Sequence, residues 1–127
     1  MKLSSIERNP DTKQLEVVFS FNDNLTLAIP IIEVRKAVPM IVSAAESLGV
    51  SHDDIDFIVS KFKGMCEELE MYSRYRTNII RKHRICSAQY NDIFFTLACG
   101  GILTMNEIYW FDWYIKKNKL SWSVTNV

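Results

Sequence analysis

Residues suited to site chemistry are scarce in this chain. It holds only two histidines, and its three cysteines, Cys66, Cys86 and Cys99, are widely spaced in apolar stretches. An odd number at such spacing does not make a disulfide framework. The close-spaced CxxC pair of many structural zinc sites is also missing. Four glycines, two of them adjacent, leave little material for a phosphate-cradling loop. Fifteen basic and fifteen acidic side chains cancel, so the basic excess of a dedicated nucleic-acid binder is lacking.

Long apolar runs are lacking too. The longest uncharged stretch, Ile93 to Asn106, falls short of the roughly 20 residues that cross a bilayer. Extending it to Ile115 brings in Glu107 and Asp112, both costly near a membrane centre. Residues 1–8 lack the apolar core of a secretion signal, so the Asn24-Leu25-Thr26 glycosylation triplet carries no weight. These absences lead us to expect an intracellular, cytoplasmic protein without a membrane span.

What is present suits one α+β domain over residues 1–127. The 48% hydrophobic and 24% charged content is ordinary for a globular chain, and this length buries enough surface to fold without metal or disulfide. Leu15, Val17, Phe19 and Phe21 alternate with Glu16, Val18 and Ser20, the period of a strand. Asn22-Asp23-Asn24 supplies a turn, and Leu25, Leu27 and Ile29 alternate again. Asn9-Pro10-Asp11 marks an earlier turn, which predicts a first strand over residues 2–8. A three-stranded antiparallel meander within residues 2–30 follows, with Pro30 stopping the third strand. The face rich in Leu15, Val17, Phe19, Phe21, Leu27 and Ile29 is expected to receive about four helices.

Those helices should lie within residues 31–119, followed by a tail over 120–127. The first runs from Ile31 to Leu48, divided or kinked at Pro39 and stopped at Gly49. Ser51 can cap a long helix over about 52–87, whose early carboxylates Asp53, Asp54 and Asp56 suit the positive helix end. His52-Asp53 resembles a metal-dependent phosphohydrolase dipeptide, but the additional upstream histidine ligands of such sites are missing. Residues 93–103 suit either helix or strand. Thr104-Met105-Asn106-Glu107 fits a capping box that opens a last, aromatic-rich helix over about 105–119.

Charge is distributed unevenly along the long helix. Residues 51–70 carry six acids and two bases, whereas residues 71–90 carry Arg74, Arg76, Arg81, Lys82 and Arg84 and no acid. One reading is complementation of the helix dipole. The other is a patch for phosphate or an acidic partner formed by Arg74, Arg81, Lys82 and Arg84. Projection at about 3.6 residues per turn places Asp56, Lys63, Glu67, Glu70, Arg74 and Arg81 on a solvated face. The opposite face carries Ile58, Phe62, Met65, Leu69, Tyr72 and Ile79. Arg76 and His83 fall on that apolar face. Either the helix ends, bends or leaves the core near Tyr75, or this end meets a partner.

Five of the eight residues from Ile108 to Ile115 are aromatic, and they surround the helix instead of marking one stripe. Either the other helices enclose them, or some of Tyr109, Trp110, Trp113 and Tyr114 stand at the surface as an interface. Attachment to a membrane surface or stacking on unpaired bases are lesser readings.

No family resemblance is evident, and no metal or cofactor is implied. The expected function is that of a small non-catalytic protein-binding protein: an inhibitor, an immunity-type protein, a phage or bacterial mobile-element antagonist, or a regulatory subunit. It would occlude a partner's surface through Arg76, His83, Tyr109, Trp110, Trp113 and Tyr114, with a second copy of the chain among the candidate partners. The alternatives are a nucleic-acid-binding regulator using the basic helix end, and an enzyme combining His83 with Cys66, Cys86 or a carboxylate.

Overall fold

The computed structural model describes residues 1–21, 25–83 and 92–118, with His83 described by its backbone alone. The chain divides into two compact units, Met1–Cys66 and Glu67–Val127, with the boundary inside the long helix.

The first unit opens with an antiparallel meander of β1 (Lys2–Arg8), β2 (Leu15–Ser20) and β3 (Thr26–Pro30), in the order β1-β2-β3. The alternation of β2 places Val17 and Phe19 on the buried face, paired with Ile29 and Leu27 of β3. In β1 the buried residues are Leu3 and Ile6, three apart. An irregularity in the ladder between Leu3 and Ser5 accounts for this. An extra residue in one strand shifts the side-chain phase, so residues an odd number apart share a face. That is why the alternation of β1 is weak in the sequence.

The β1–β2 turn is organised by Asn9, whose Oδ1 accepts the N–H groups of Asp11 and Thr12 at 2.8 and 3.1 Å. The turn predicted at Asn22–Asn24 lies outside the described residues.

Helix α1 (Val34–Ser47) lies against β3 and buries Ala37, Ile41 and Ala45, one residue per turn. The division expected at Pro39 does not occur: Pro39 sits within a single helix. Both Pro39 and Arg35, whose carbonyl would have accepted the missing N–H bond, are exposed, so water can satisfy that carbonyl. The start is also later than expected, because residues 31–33 are not helical.

Gly49 ends α1 as anticipated, at φ +75°. Val50 N–H donates to Ala45 O and Gly49 N–H to Glu46 O, the paired bonds of a Schellman stop. Asp54 N–H then donates to Ser51 Oγ at 3.3 Å, and α2 (His52–His83) begins. Ile55, Ile58 and Phe62 are buried along its first half. Its predicted end near residue 87 lies outside the described residues.

In the second unit, α2 continues with Leu69, Ile79 and Ile80 buried. Of the ambiguous stretch 93–103, residues 93–98 are helical and the rest is turn and loop: α3 (Asp92–Ala98) buries Phe94 and Leu97. Gly100, at φ +77°, closes α3 with a second Schellman stop, Gly101 N–H donating to Thr96 O and Gly100 N–H to Leu97 O. Thr104 then caps α4 (Met105–Lys117), whose described course stops two residues short of the expected end. Both bonds of the capping box are present: Glu107 N–H donates to Thr104 Oγ1, and Thr104 N–H to Glu107 Oε1. The tail over 120–127 lies outside the described residues.

No helix of the described residues is long and apolar enough to cross a membrane.

Candidate functional site

Helix α4 divides its aromatics between two sides. The inward stripe is Ile108, Phe111 and Ile115, all buried. At 100° per residue, Tyr109 and Trp113 lie well away from that stripe, and they are 62% and 52% exposed. Trp110 and Tyr114 occupy one flank and are half-buried. Their rings stack at 5.5 Å with a 23° interplanar angle, and both present themselves to Phe94 of α3 in edge-to-face contacts at 5.6 and 5.0 Å. Edge-to-face packing brings the positive ring edge to the negative ring face, so this flank ties α3 to α4.

Trp113 lies outside that cluster, 6.5 Å from Trp110. Its ring carries Lys117 Nζ at 4.7 Å from the centroid, with Lys116 also exposed alongside. The outer face of α4 therefore presents an indole and a phenol bordered by two ammonium groups. On α3 the exposed Phe95 is a further large apolar side chain, one that sequence patterning did not single out.

The other flank of α4 carries Asp112, the single acid within the aromatic run. Arg76 Nε donates to Asp112 Oδ1 at 2.8 Å and Nη2 to Oδ2 at 2.9 Å, while Nη1 donates to the Tyr72 carbonyl at 2.9 Å. The guanidinium also lies 5.9 Å from the Tyr72 ring centroid. Helix α2 does not end near Tyr75: it continues to His83. The apolar-face arginine is accommodated by a two-point ion pair from α4, and its side chain is only 12% exposed. An acid stranded in an apolar run was the available signal for this partner.

Tyr109 and Trp113 thus stand on the exposed side of α4, Trp113 touching only the edge of the aromatic cluster and Lys117, whereas Trp110, Tyr114 and Arg76 are more enclosed. The chain has no match among protein-family models, curated proteins or solved structures.

Three of the four residues of the basic helix end, Arg74, Arg81 and Lys82, lie among the described residues of α2. Arg74 is tied to Glu70 at 2.9 Å, Arg81 is exposed and Lys82 is half-buried. The side chain of His83, together with Arg84 and Cys86, lies outside the described residues. Cys66 is buried and Cys99 exposed. Among the described residues no group of three His, Cys, Asp or Glu side chains is placed to hold a metal ion.

Proposed function

We propose that this is a small non-catalytic binding protein that acts by occupying a protein partner's surface with the outer face of α4. Inhibitors, immunity-type proteins, mobile-element antagonists and regulatory subunits share this mode of action. The observation that carries the reading is the exposure of Tyr109 and Trp113 on a helix whose other aromatics are engaged within the fold. Large rigid aromatics with a polar handle yield contact area at low entropic cost and recur where binding energy is concentrated.

Lys116 and Lys117 border this face, so the favoured partner surface is an apolar pocket with acidic surroundings. Such a rim chiefly steers encounter and orientation, while the desolvated aromatic supplies affinity. Trp113, held beneath Lys117, is the residue expected to anchor the complex.

Capture from native-host extract with wild-type, Trp113→Ala and Tyr109→Ala baits tests the reading, combined with the solution mass of the purified chain. A partner or second copy retained by the wild type and weakened at least about tenfold by Trp113→Ala supports it. Equal recovery with all three baits overturns it.

A further inference from the structure

Along the second half of α2, Glu70, Arg74, Asn78 and Arg81 follow one another at helical spacing on a single side. Together with the Gly100-Gly101-Ile102 turn they line a cleft of about 380 Å³. This lies at the lower end of the size range of small-ligand sites, about 300–1,000 Å³.

The hydroxyls within the cleft are already committed. Ser73 Oγ accepts the Leu103 N–H at 2.8 Å, and Thr77 Oγ1 lies within donating reach of the Ser73 and Leu97 carbonyls at 3.0 and 3.2 Å. The Gly100 and Gly101 N–H groups serve the α3 stop. The donors left over are those of Arg81 and Asn78, neither of which has a hydrogen-bond or ion-pair partner among the described residues. Arg74 is held by Glu70 at 2.9 Å. The lining thus carries two guanidinium groups against one carboxylate.

The glycine turn beside the cleft is sterically constrained. A Cβ at Gly101 would stand 2.8 Å from Thr96 Cγ2 and 3.0 Å from Thr96 O, so no side chain fits there without displacement. At Gly100 the space beside the backbone is empty, but φ is +77°. A side chain is disfavoured at both positions, for different reasons.

We propose that this cleft binds the phosphate group of a small phosphomonoester. Arg81 and Asn78 supply donors directly, and Arg74 turns from Glu70 to the ligand. Guanidinium forks match phosphate oxygens in paired hydrogen bonds. A dianionic phosphate outcompetes the single charge of Glu70 for Arg74, which a monocarboxylate or a chloride ion does not. This proposal is independent of the α4 surface.

The test is titration of the isotope-labelled protein with inorganic phosphate, with acetate, chloride and a short oligothymidine as separate arms at matched ionic strength. Phosphate is expected to shift the Asn78, Gly100 and Gly101 amides saturably, and more tightly than acetate. Arg81→Gln should weaken phosphate about tenfold, as loss of a charge-assisted hydrogen bond does. Glu70→Gln should tighten it by releasing Arg74. Both substitutions alter exposed side chains, so the melting temperature serves as a folding control, and Asn78→Ala provides a second weakening variant. The proposal is overturned if chloride reproduces the shifts, if Arg81→Gln and Asn78→Ala both bind as the wild type does, or if oligothymidine binds more tightly than phosphate.

Discussion

Arg76 of α2 and Asp112 of α4 meet in a two-point ion pair, 2.8 Å at Nε–Oδ1 and 2.9 Å at Nη2–Oδ2, with the arginine side chain nearly enclosed. Removing either partner leaves a charge facing a poorly hydrated site. Arg76→Ala should therefore cost about 2–3 kcal/mol, below the fully buried range because Asp112 retains some exposure. Arg76→Lys keeps the charge but loses the fork, and should recover only part of the loss. An apolar pair such as Arg76→Met with Asp112→Leu should be more stable than either single truncation. Urea denaturation of these variants, with Arg76→Met and Asp112→Leu also measured singly, checks this, and additive losses for those two singles and their double would show that the pair is not coupled.

The two tryptophans of α4 should behave differently. Trp110 stacks on Tyr114 and abuts Phe94, so Trp110→Ala should lower stability by about 2–3 kcal/mol. Trp113 is half exposed, and Trp113→Ala should stay within about 0.5 kcal/mol of the wild type. Thermal unfolding separates the two; comparable destabilisation by both would make Trp113 part of the core and remove the anchor of the proposed interface.

Ser73 and Thr77 are buried and one turn apart, yet their substitutions should not be equivalent. Ser73→Ala strips the acceptor from the buried Leu103 N–H and should cost about 1–3 kcal/mol. Thr77→Val preserves volume and removes a hydroxyl that shares carbonyls already accepting elsewhere or able to do so, so its cost should be smaller. Hydrogen exchange at the Leu103 amide provides the direct readout: faster in Ser73→Ala, little changed in Thr77→Val.

The helix stops offer a third contrast. Gly49→Ala and Gly100→Ala place a Cβ in open space at positive φ and should each cost about 1–2 kcal/mol from backbone strain alone. Gly101→Ala has no such φ but meets Thr96, so its penalty should be relieved by the companion change Thr96→Ser, which removes the obstructing methyl. Melting temperatures of the single and paired variants distinguish strain from collision. Failure of Thr96→Ser to help would mean that the Thr96 carbonyl sets the limit.

Local features carried through from sequence to structure because their causes are local. The alternation of β2 marks Val17 and Phe19 as inward. Gly49 closes α1 because a carbonyl-satisfying left-handed residue must follow the last turn. Thr104 and Glu107 form their reciprocal box from residues three apart. The division expected at Pro39 did not occur for a reason of the same scale: a proline removes one bond, and an exposed helix face lets water replace it.

A three-stranded meander followed by helices, the Gly49 stop and the Thr104 cap were legible in the sequence, since each depends on neighbours within a turn or a hairpin. Only the tertiary structure decided which aromatics of α4 face outward, what compensates Arg76, and that Arg74, Asn78 and Arg81 share a cleft with the glycine turn. Those outcomes join residues 16 to 36 positions apart, and no periodicity encodes a pairing across such a distance. The aromatic helix looked apolar all round because composition counts rings without their surroundings. Packing distinguished them by giving Phe111 a core, Trp110 and Tyr114 the edge of Phe94, and Trp113 an exposed position beneath Lys117.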